Sequence, residues 1–265
     1  MRVISPIISS EQVAPHAHRI RLHAPELVTL MKPGQFVNVV VNKDIESHDP
    51  LLRRPISIAD YDIDKGTFDL VFNIVGRGTA ILAENSIGSS LDVMGPIGNS
   101  FPIDTNVKHR SLLIAGGIGI PPLFPLAKQL ISLGGEVSLR YGARQKEQLL
   151  MVQEYVDLGI DCTLYTDDGS LGQKGYVTEG LIELLNKERF DCIYACGPQP
   201  LLVKLQSIAL ETGITSYLSL ERHMACGVGA CLGCTVLLND RGQTRYALLC
   251  QEGPVFEAKE VLFHE

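Results

Sequence analysis

What this chain lacks narrows its function before anything it contains. No stretch approaches the roughly 18 uninterrupted apolar residues of a membrane-spanning helix. The start, Met1-Arg2-Val3-Ile4-Ser5-Pro6, has no cationic segment leading into a long apolar one. A cytoplasmic protein with no membrane partner is the expectation. No Lys/Arg-rich run is present: 23 lysines and arginines stand against 30 aspartates and glutamates, a net charge of −7. That balance argues against a nucleic-acid partner, whose phosphates need a basic footprint. No paired carboxylates and no Ser/His/Asp arrangement suggest independent substrate chemistry, so no residue is assigned a catalytic role of its own.

What is present centres on cysteine. Among 265 residues, 45% of them apolar, there are seven cysteines, in a chain long enough for about two ordinary domains and a small appendage. Four follow the spacing Cys226-x4-Cys231-x2-Cys234 and then, after fifteen residues, Cys250. Plant-type [2Fe–2S] clusters use such a run, because a tight loop wraps three thiolates around a small inorganic core and a second strand brings the fourth. Gly227, Gly229 and Gly233 suit a loop that turns sharply with its amides aimed at sulfur. Zinc is the second reading, although structural zinc prefers two short Cys-x2-Cys units and only one is present. Two disulfides are a third, against an odd cysteine count and a reducing compartment.

Up to about residue 103, short alternating runs lie between turn residues: His18 to His23, Gln35 to Val41, Pro55 to Asp60, Thr67 to Val75 and Ser90 to Met94. Their spacing predicts an antiparallel barrel. Arg53-Arg54-Pro55-Ile56-Ser57-Ile58 follows a turn and strand, and Gly76-Arg77-Gly78-Thr79 precedes a helix-like segment. A glycine turn opening a helix offers free amides to an anion, and an arginine from a neighbouring strand can fork onto the same pyrophosphate. Each of these signals alone is weak, since an Arg-Arg pair is more often solvated surface and a glycine pair more often a simple turn.

From Ser111 the pattern becomes that of a buried parallel sheet. Strand candidates are Ser111 to Ala115, Glu136 to Tyr141, Asp161 to Thr166, Asp191 to Ala195 and Ser216 to Ser219. Helical stretches run to Leu133 and near Gln148 to Leu158, Thr178 to Leu185 and Gln199 to Glu211. The alternation predicts a doubly wound α/β fold with its ligand beyond the carboxyl ends of the strands. Gly116-Gly117-Ile118-Gly119-Ile120-Pro121-Pro122 departs from the usual dinucleotide fingerprint, with Pro122 where the third glycine would be, yet proline suits a first helical turn. Asp167 and Asp168 would repel a 2′-phosphate and favour NAD, or else simply build the turn before Gly169. Cys196-Gly197-Pro198 sets a small polarizable side chain at the sheet's ligand edge, whereas Cys162 and Cys192 read as core.

Barrel, dinucleotide-type domain and cluster loop in series resemble the ferredoxin–NADP reductase superfamily, and within it the electron-transfer subunits of the NAD-dependent, two-subunit dihydroorotate dehydrogenases. The resemblance spans essentially the whole chain. It is carried by Glu221-Arg222-x-Met224-Ala225-Cys226-Gly227-Val228-Gly229-Ala230-Cys231-x-Gly233-Cys234, with Leu52-Arg53-Arg54-Pro55-Ile56-Ser57-Ile58, Gly116 to Leu123 and Cys196-Gly197-Pro198. It implies a multidomain fold: an antiparallel β-barrel FAD domain over 1–103, an α/β parallel-sheet NAD domain over 104–215, and a small C-terminal [2Fe–2S] domain over 216–265. Arg54, Pro55, Ile56 and Ser57 would hold FAD, with Arg54 on the pyrophosphate and Ser57 near the reactive edge of the ring. Val71, Phe72 and Asn73 would line the next strand, and Gly78-Thr79 would cap the phosphates. The superfamily often has an aromatic where Ile56 stands and a basic residue where Asn73 stands. Gly117, Gly119, Cys196, Gly197 and Pro198 would form the nicotinamide dinucleotide site, and Cys226, Cys231, Cys234 and Cys250 the cluster ligands, with His223 outside the ligand set.

The resemblance further implies a function: electrons from an FMN-containing dihydroorotate dehydrogenase catalytic subunit pass through [2Fe–2S] and FAD to NAD+, in UMP biosynthesis. This chain would be the oxidoreductase subunit of a heterotetramer, two of each, and would not act on dihydroorotate by itself. A diaphorase subunit of a hydrogenase, sulfide dehydrogenase or transhydrogenase complex has the same layout and is the alternative.

Overall fold

The computed structural model describes residues 1–41 and 49–263. Residues 42–48 of the first expected domain and 264–265 of the third lie outside that description. The first unit is a closed antiparallel barrel made from β1 (Arg2–Ala14), β2 (Ala17–His23), β3 (Phe36–Val39), β4 (Arg54–Asp62), β5 (Thr67–Asn73) and β6 (Ser90–Ile97), in the order β1-β2-β5-β4-β3-β6. A short helix α1 (Pro25–Val28) follows β2, and α2 (Arg77–Ala83) follows β5. Period-two alternation drives the closure: Ile20 and Leu22 on β2, Val37 and Val39 on β3 and Ile58 on β4 are fully buried and meet Leu70 and Val93 inside. The residues between them point out. Arg19 and Arg21 reach Asp69 on β5 at 2.6 Å each, and Arg19 also reaches Glu154, tying the barrel to the second unit at 3.0 Å.

The second unit alternates β7 (Arg110–Gly116), α3 (Leu123–Ser132), β8 (Glu136–Ala143), α4 (Val152–Asp157), β9 (Asp161–Thr166), β10 (Gln173–Lys174), α5 (Leu181–Lys187), β11 (Cys192–Cys196), α6 (Gln199–Thr212) and β12 (Ser216–Ser219). Strands β7 to β12 pair in parallel, in the order β10-β9-β8-β7-β11-β12. Continuous apolar runs allow this, since both faces of such a sheet are covered. Leu113 and Ala115 pack with α3 on one face, and Leu112 and Ile114 with α5 and α6 on the other. The winding reverses between β7 and β11, so a crevice opens at their carboxyl ends.

The last segment contributes β13 (Thr235–Asp240), β14 (Gln243–Leu248), β15 (Val255–Glu257) and β16 (Val261–Leu262). Strands β14, β13 and β16 form a small antiparallel sheet. The turn from β13 to β14 places Arg241 at φ 52° and Gly242 at φ 87°; two successive residues in that region suit the right-handed twist of a hairpin. Strand β12 lies within the large sheet, and β15 adds to it antiparallel beside β12. Thus the segment from 216 to 263 shares its sheet with the preceding unit. It also shares a core, because Val236, Leu238, Leu249 and Phe256 join the cluster that holds Ile114, Ile193 and Leu205. Among the described residues no helix is long and apolar enough to cross a membrane.

Candidate functional site

All three parts of the chain line one cavity of about 840 Å³. The barrel contributes Phe36, Pro55, Ser57 and Asn73. The sheet contributes Gly116 to Gly119 after β7, Arg144 after β8, Asp167 after β9, and Cys196 to Pro198 after β11. The last segment adds Glu221, Arg222, Met224, Leu249 and Pro254.

Strand alternation sorts the residues expected at the flavin. On β4, Pro55 and Ser57 face the cavity while Ile56, 8% exposed, faces the barrel core. On β5, Asn73 faces the cavity. Phe72 instead packs inward, tilted against His18 with ring centroids 6.0 Å apart, and Val71 fills the core between barrel and sheet. Neither Val71 nor Phe72 presents its side chain to the cavity. Arg54, Gly78 and Thr79 do not line this cavity; the Arg54 guanidinium lies over Gly78, where a Cβ would meet Arg54 Nε at 2.5 Å and Nη2 at 2.7 Å. The glycine is what admits the arginine to the start of α2. Thr79 Oγ1 accepts the amides of Val75 and Gly76, at 3.0 and 3.2 Å, and donates to Gly76 O at 3.0 Å, so its hydroxyl shapes the turn from within. Arg77 pairs with Asp49. The arginine and glycine turn that were separate weak signals in sequence are thus one contact, and the pair fits an anionic dinucleotide.

At the switch point the loops after β7 and β11 touch through glycine. A Cβ on Gly119 would stand 2.2 Å from the Cys196 carbonyl oxygen, and one on Gly116 2.9 Å from Pro198 Cδ. Gly117 takes φ +52°. Cys196 borders the cavity with its thiol pushed up to about 12, mainly by burial, so it is a neutral thiol at pH 7. Asp168 accepts the Ser170 amide in the turn and is held below the usual carboxylate range by Ser170. Only its neighbour Asp167 borders the cavity.

The four cysteines of the spaced motif come together as two pairs, Cys226 beside Cys231 and Cys234 beside Cys250. The hairpin sets the second pair. Thr235 opposes Leu248, so Leu249 N bonds Cys234 O at 3.1 Å and Cys250 N points at Cys234 Sγ at 3.5 Å. In the loop, Cys226 Sγ accepts amides from Val228 and Cys231, each at 3.4 Å, which draws its thiol down to about 6. Cys250 is pushed up to about 11, mainly by burial and then by Cys234. Gly227 at φ +67° and Gly229 at φ +82° carry the chain around, and Leu232 enters the same left-handed region at φ +58°. No disulfide joins any of the seven cysteines. Four sulfurs in two pairs, with amides aimed at them, fit a two-iron cluster whose irons take two thiolates each. Among the described residues no three His, Cys, Asp or Glu side chains are gathered around one ion position. His223 is exposed. The loop's outer surface is apolar, with Val228 52% and Leu232 64% exposed.

One residue had no signal in the sequence. Asn38 on β3 is 1% exposed, neither end of its carboxamide has a hydrogen-bond partner among the described residues, and a Cβ on Gly227 would stand 1.8 Å from its Nδ2. Its place beside the cysteine loop depends on a contact between distant parts of the chain, which no local pattern records.

Comparison with known proteins finds three family models in series. An oxidoreductase FAD-binding domain matches residues 5–101, an oxidoreductase NAD-binding domain 113–206, and the iron–sulfur cluster binding domain of dihydroorotate dehydrogenase B 221–262. The electron transfer subunit of dihydroorotate dehydrogenase B (NAD(+)) from Lysinibacillus sphaericus strain C3-41 is 42% identical over 252 residues, 94% of this chain and 94% of that protein. The protein of the same name from Enterococcus faecalis strain OG1RF is 40% identical over 261 residues, covering 97% and 96%. Among solved structures, a chain of the NADH-dependent reduced ferredoxin–NADP oxidoreductase, studied for flavin-based electron bifurcation, superposes with a TM-score of 0.83. It is 31% identical over 98% of this chain and 90% of that one.

Proposed function

The chain belongs to the family of electron-transfer subunits of NAD(+)-dependent dihydroorotate dehydrogenase B, and from that premise we propose how its residues divide the work. It passes electrons from the catalytic subunit to NAD+ in pyrimidine biosynthesis. When bound, FAD exchanges hydrides as well as single electrons and a [2Fe–2S] cluster exchanges single electrons, so together they turn two single electrons into one hydride. The observation that carries the reading is the shared cavity, which flavin strand, glycine loop and cluster-loop flank all border.

In this reading Cys226, Cys231, Cys234 and Cys250 hold the cluster. Arg54 forks onto the FAD pyrophosphate, Gly78 leaves it room, and Thr79 fixes the turn. Pro55, Ser57 and Asn73 border the ring side, while Ile56, Val71 and Phe72 stiffen the strands from the core. Gly117, Gly119 and Gly197 let the dinucleotide approach the backbone at the switch point. Cys196, kept as a neutral thiol, is a poor nucleophile toward an electrophilic nicotinamide. FAD is assigned to 1–103, NAD+ to 104–215 and the cluster to 216–265. The catalytic partner carries FMN and docks on the apolar rim at Val228 and Leu232, two of each subunit forming a heterotetramer in the cytoplasm. A diaphorase partner is the weaker reading, since the ferredoxin–NADP oxidoreductase chain shares 31% identity against 42% for the dihydroorotate relative.

The test is an anaerobic visible spectrum of the chain co-purified with its partner, titrated with dihydroorotate and then NAD+. Flavin and iron–sulfur bands bleach with the first and recover with the second. Bands that dihydroorotate leaves untouched would overturn the pathway and keep the cofactors.

A further inference from the structure

We propose that the Asn38 carboxamide donates a hydrogen bond to the sulfurs of the [2Fe–2S] centre at Cys226–Gly227 and so raises the centre's reduction potential, acting as a positioning residue between the cluster loop and the flavin strand. The inference rests on the cluster assignment above and goes beyond its four ligands.

Three observations carry it. Strand β3 alternates: Val37 and Val39 are buried in the barrel core, so Phe36 and Asn38 lie on the outer face, where Phe36 opposes Ser57 and Asn38 opposes Pro55. Asn38 therefore flanks the strand that faces the cavity. Second, its side chain is 1% exposed, with both Nδ2 and Oδ1 unpartnered among the described residues. A buried polar group without a partner is destabilising, and a valine at this position would avoid that cost. Third, the orphan lies against the ligand loop. Gly227, next to Cys226, has φ +67°, and a Cβ there would stand 1.8 Å from Asn38 Nδ2. Glycine is required at 227 both for its backbone conformation and for the carboxamide packed on it.

The chemistry completes the argument. Thiolates and bridging sulfides accept hydrogen bonds and donate none, so the NH2 end of a carboxamide is the end that suits them. Cys226 Sγ already receives the amides of Val228 and Cys231, and Asn38 would add a donor from another domain. Hydrogen bonds to cluster sulfurs favour the reduced, more negative state.

The experiment uses the full chain in complex with its catalytic partner and compares wild type with Asn38→Leu, branched at the same atom and without polar atoms, and Asn38→Asp. Cluster and FAD midpoints are read in one redox titration followed by EPR of the reduced cluster. In Asn38→Leu the cluster midpoint falls, shifting the one-electron equilibrium toward FAD about tenfold, about 59 mV. The FAD midpoint and the iron content hold. Asn38→Asp lowers the cluster midpoint further. Cluster midpoints unchanged in both variants, or a FAD midpoint that moves alone, would overturn the proposal. A wild-type complex with no [2Fe–2S] signal would instead remove the cluster assignment itself. If the variants fail to load iron, pulsed EPR of wild type carrying side-chain 15N-asparagine decides: coupling of that nitrogen to the reduced cluster supports the proposal, and its absence overturns it.

Discussion

The carbonyl oxygen of Cys196 occupies the space in which a side chain on Gly119 would begin, 2.2 Å from the Cβ position. Both atoms are backbone-bound, so neither can swing aside, and a methyl group there must part the loops after β7 and β11. Gly119→Ala is expected to raise the KM for NADH at least tenfold in a ferricyanide assay, about 1.4 kcal/mol, and to lower the melting temperature through overpacking. The flavin spectrum stays. An unchanged KM would show that the dinucleotide does not use this loop.

Arg54 meets Gly78 from the neighbouring strand, and a charged fork onto pyrophosphate is worth roughly 1.5–3 kcal/mol. Arg54→Ala should therefore bind FAD tenfold to a hundredfold more weakly, measured as flavin retained after dialysis. Arg54→Lys should recover only part of the loss, because a point charge does not reproduce the fork. Gly78→Ala should resemble Arg54→Ala, since the methyl would displace the guanidinium.

Seven cysteines divide into four that converge and three that do not. Replacing Cys234 or Cys250 by serine should remove most iron and acid-labile sulfide while NADH oxidation by artificial acceptors survives. The same change at Cys162 should leave the iron in place. Zinc without sulfide in the wild-type chain would refute the two-iron reading outright.

The sequence exposed the fold where burial is regular and the site where spacing is covalent. Asp161 to Thr166 and Ser216 to Ser219 are strands with those bounds, each following a glycine turn, at Gly159 and Gly213. Strand β1 escaped notice: it contains Pro6 and the polar run Ser9-Ser10-Glu11-Gln12, and it shifts register against β2 near Ile7 and Gln12. Its alternation is broken where it bends. The four cysteines were legible because loop closure fixes their spacing. Arg54 with Gly78 was legible only as two weak signals, an arginine pair and a glycine turn, since their contact is tertiary. Val71 and Phe72 were expected to line the flavin site, but strand parity, which sends Phe72 inward, depends on how the barrel closes.

Alkaline pH should destabilise the fold by a defined route. Cys192 is pushed up to about 12 by burial, as is Cys196, and burial raises Tyr141 and Tyr155 as well. Each keeps its proton in the folded chain after the unfolded chain has released it. Their contribution is complete below pH ~9 and declines as pH rises above it, by at most about 1.4 kcal/mol per unit for each group. Urea midpoints at pH 7, 9 and 10.5 should fall in that order, less steeply in Cys192→Ala. Identical slopes would contradict the assignment.

Leu232 is 64% exposed on the rim of the cysteine loop, at φ +58°. Leu232→Asn should tolerate that backbone better while removing apolar surface, so the chain should keep its iron and lose affinity for the catalytic partner by about tenfold or more. Analytical size exclusion of the mixed subunits reads this directly. Undiminished assembly would move the docking face elsewhere.

Strand β15 is more than a fastening. It lies in the sheet that carries the dinucleotide loop, and Gln206 on α6 donates to the carbonyls of Ala258 and Val261 at 2.6 Å each. Electron tunnelling weakens exponentially with separation. A ligand loop built into the same packed body as its neighbour keeps that separation constant, where one carried on a tether would have to search for it. Electron passage inside this chain should therefore be indifferent to solvent viscosity, and any viscosity dependence of turnover would belong to the entry and departure of small molecules.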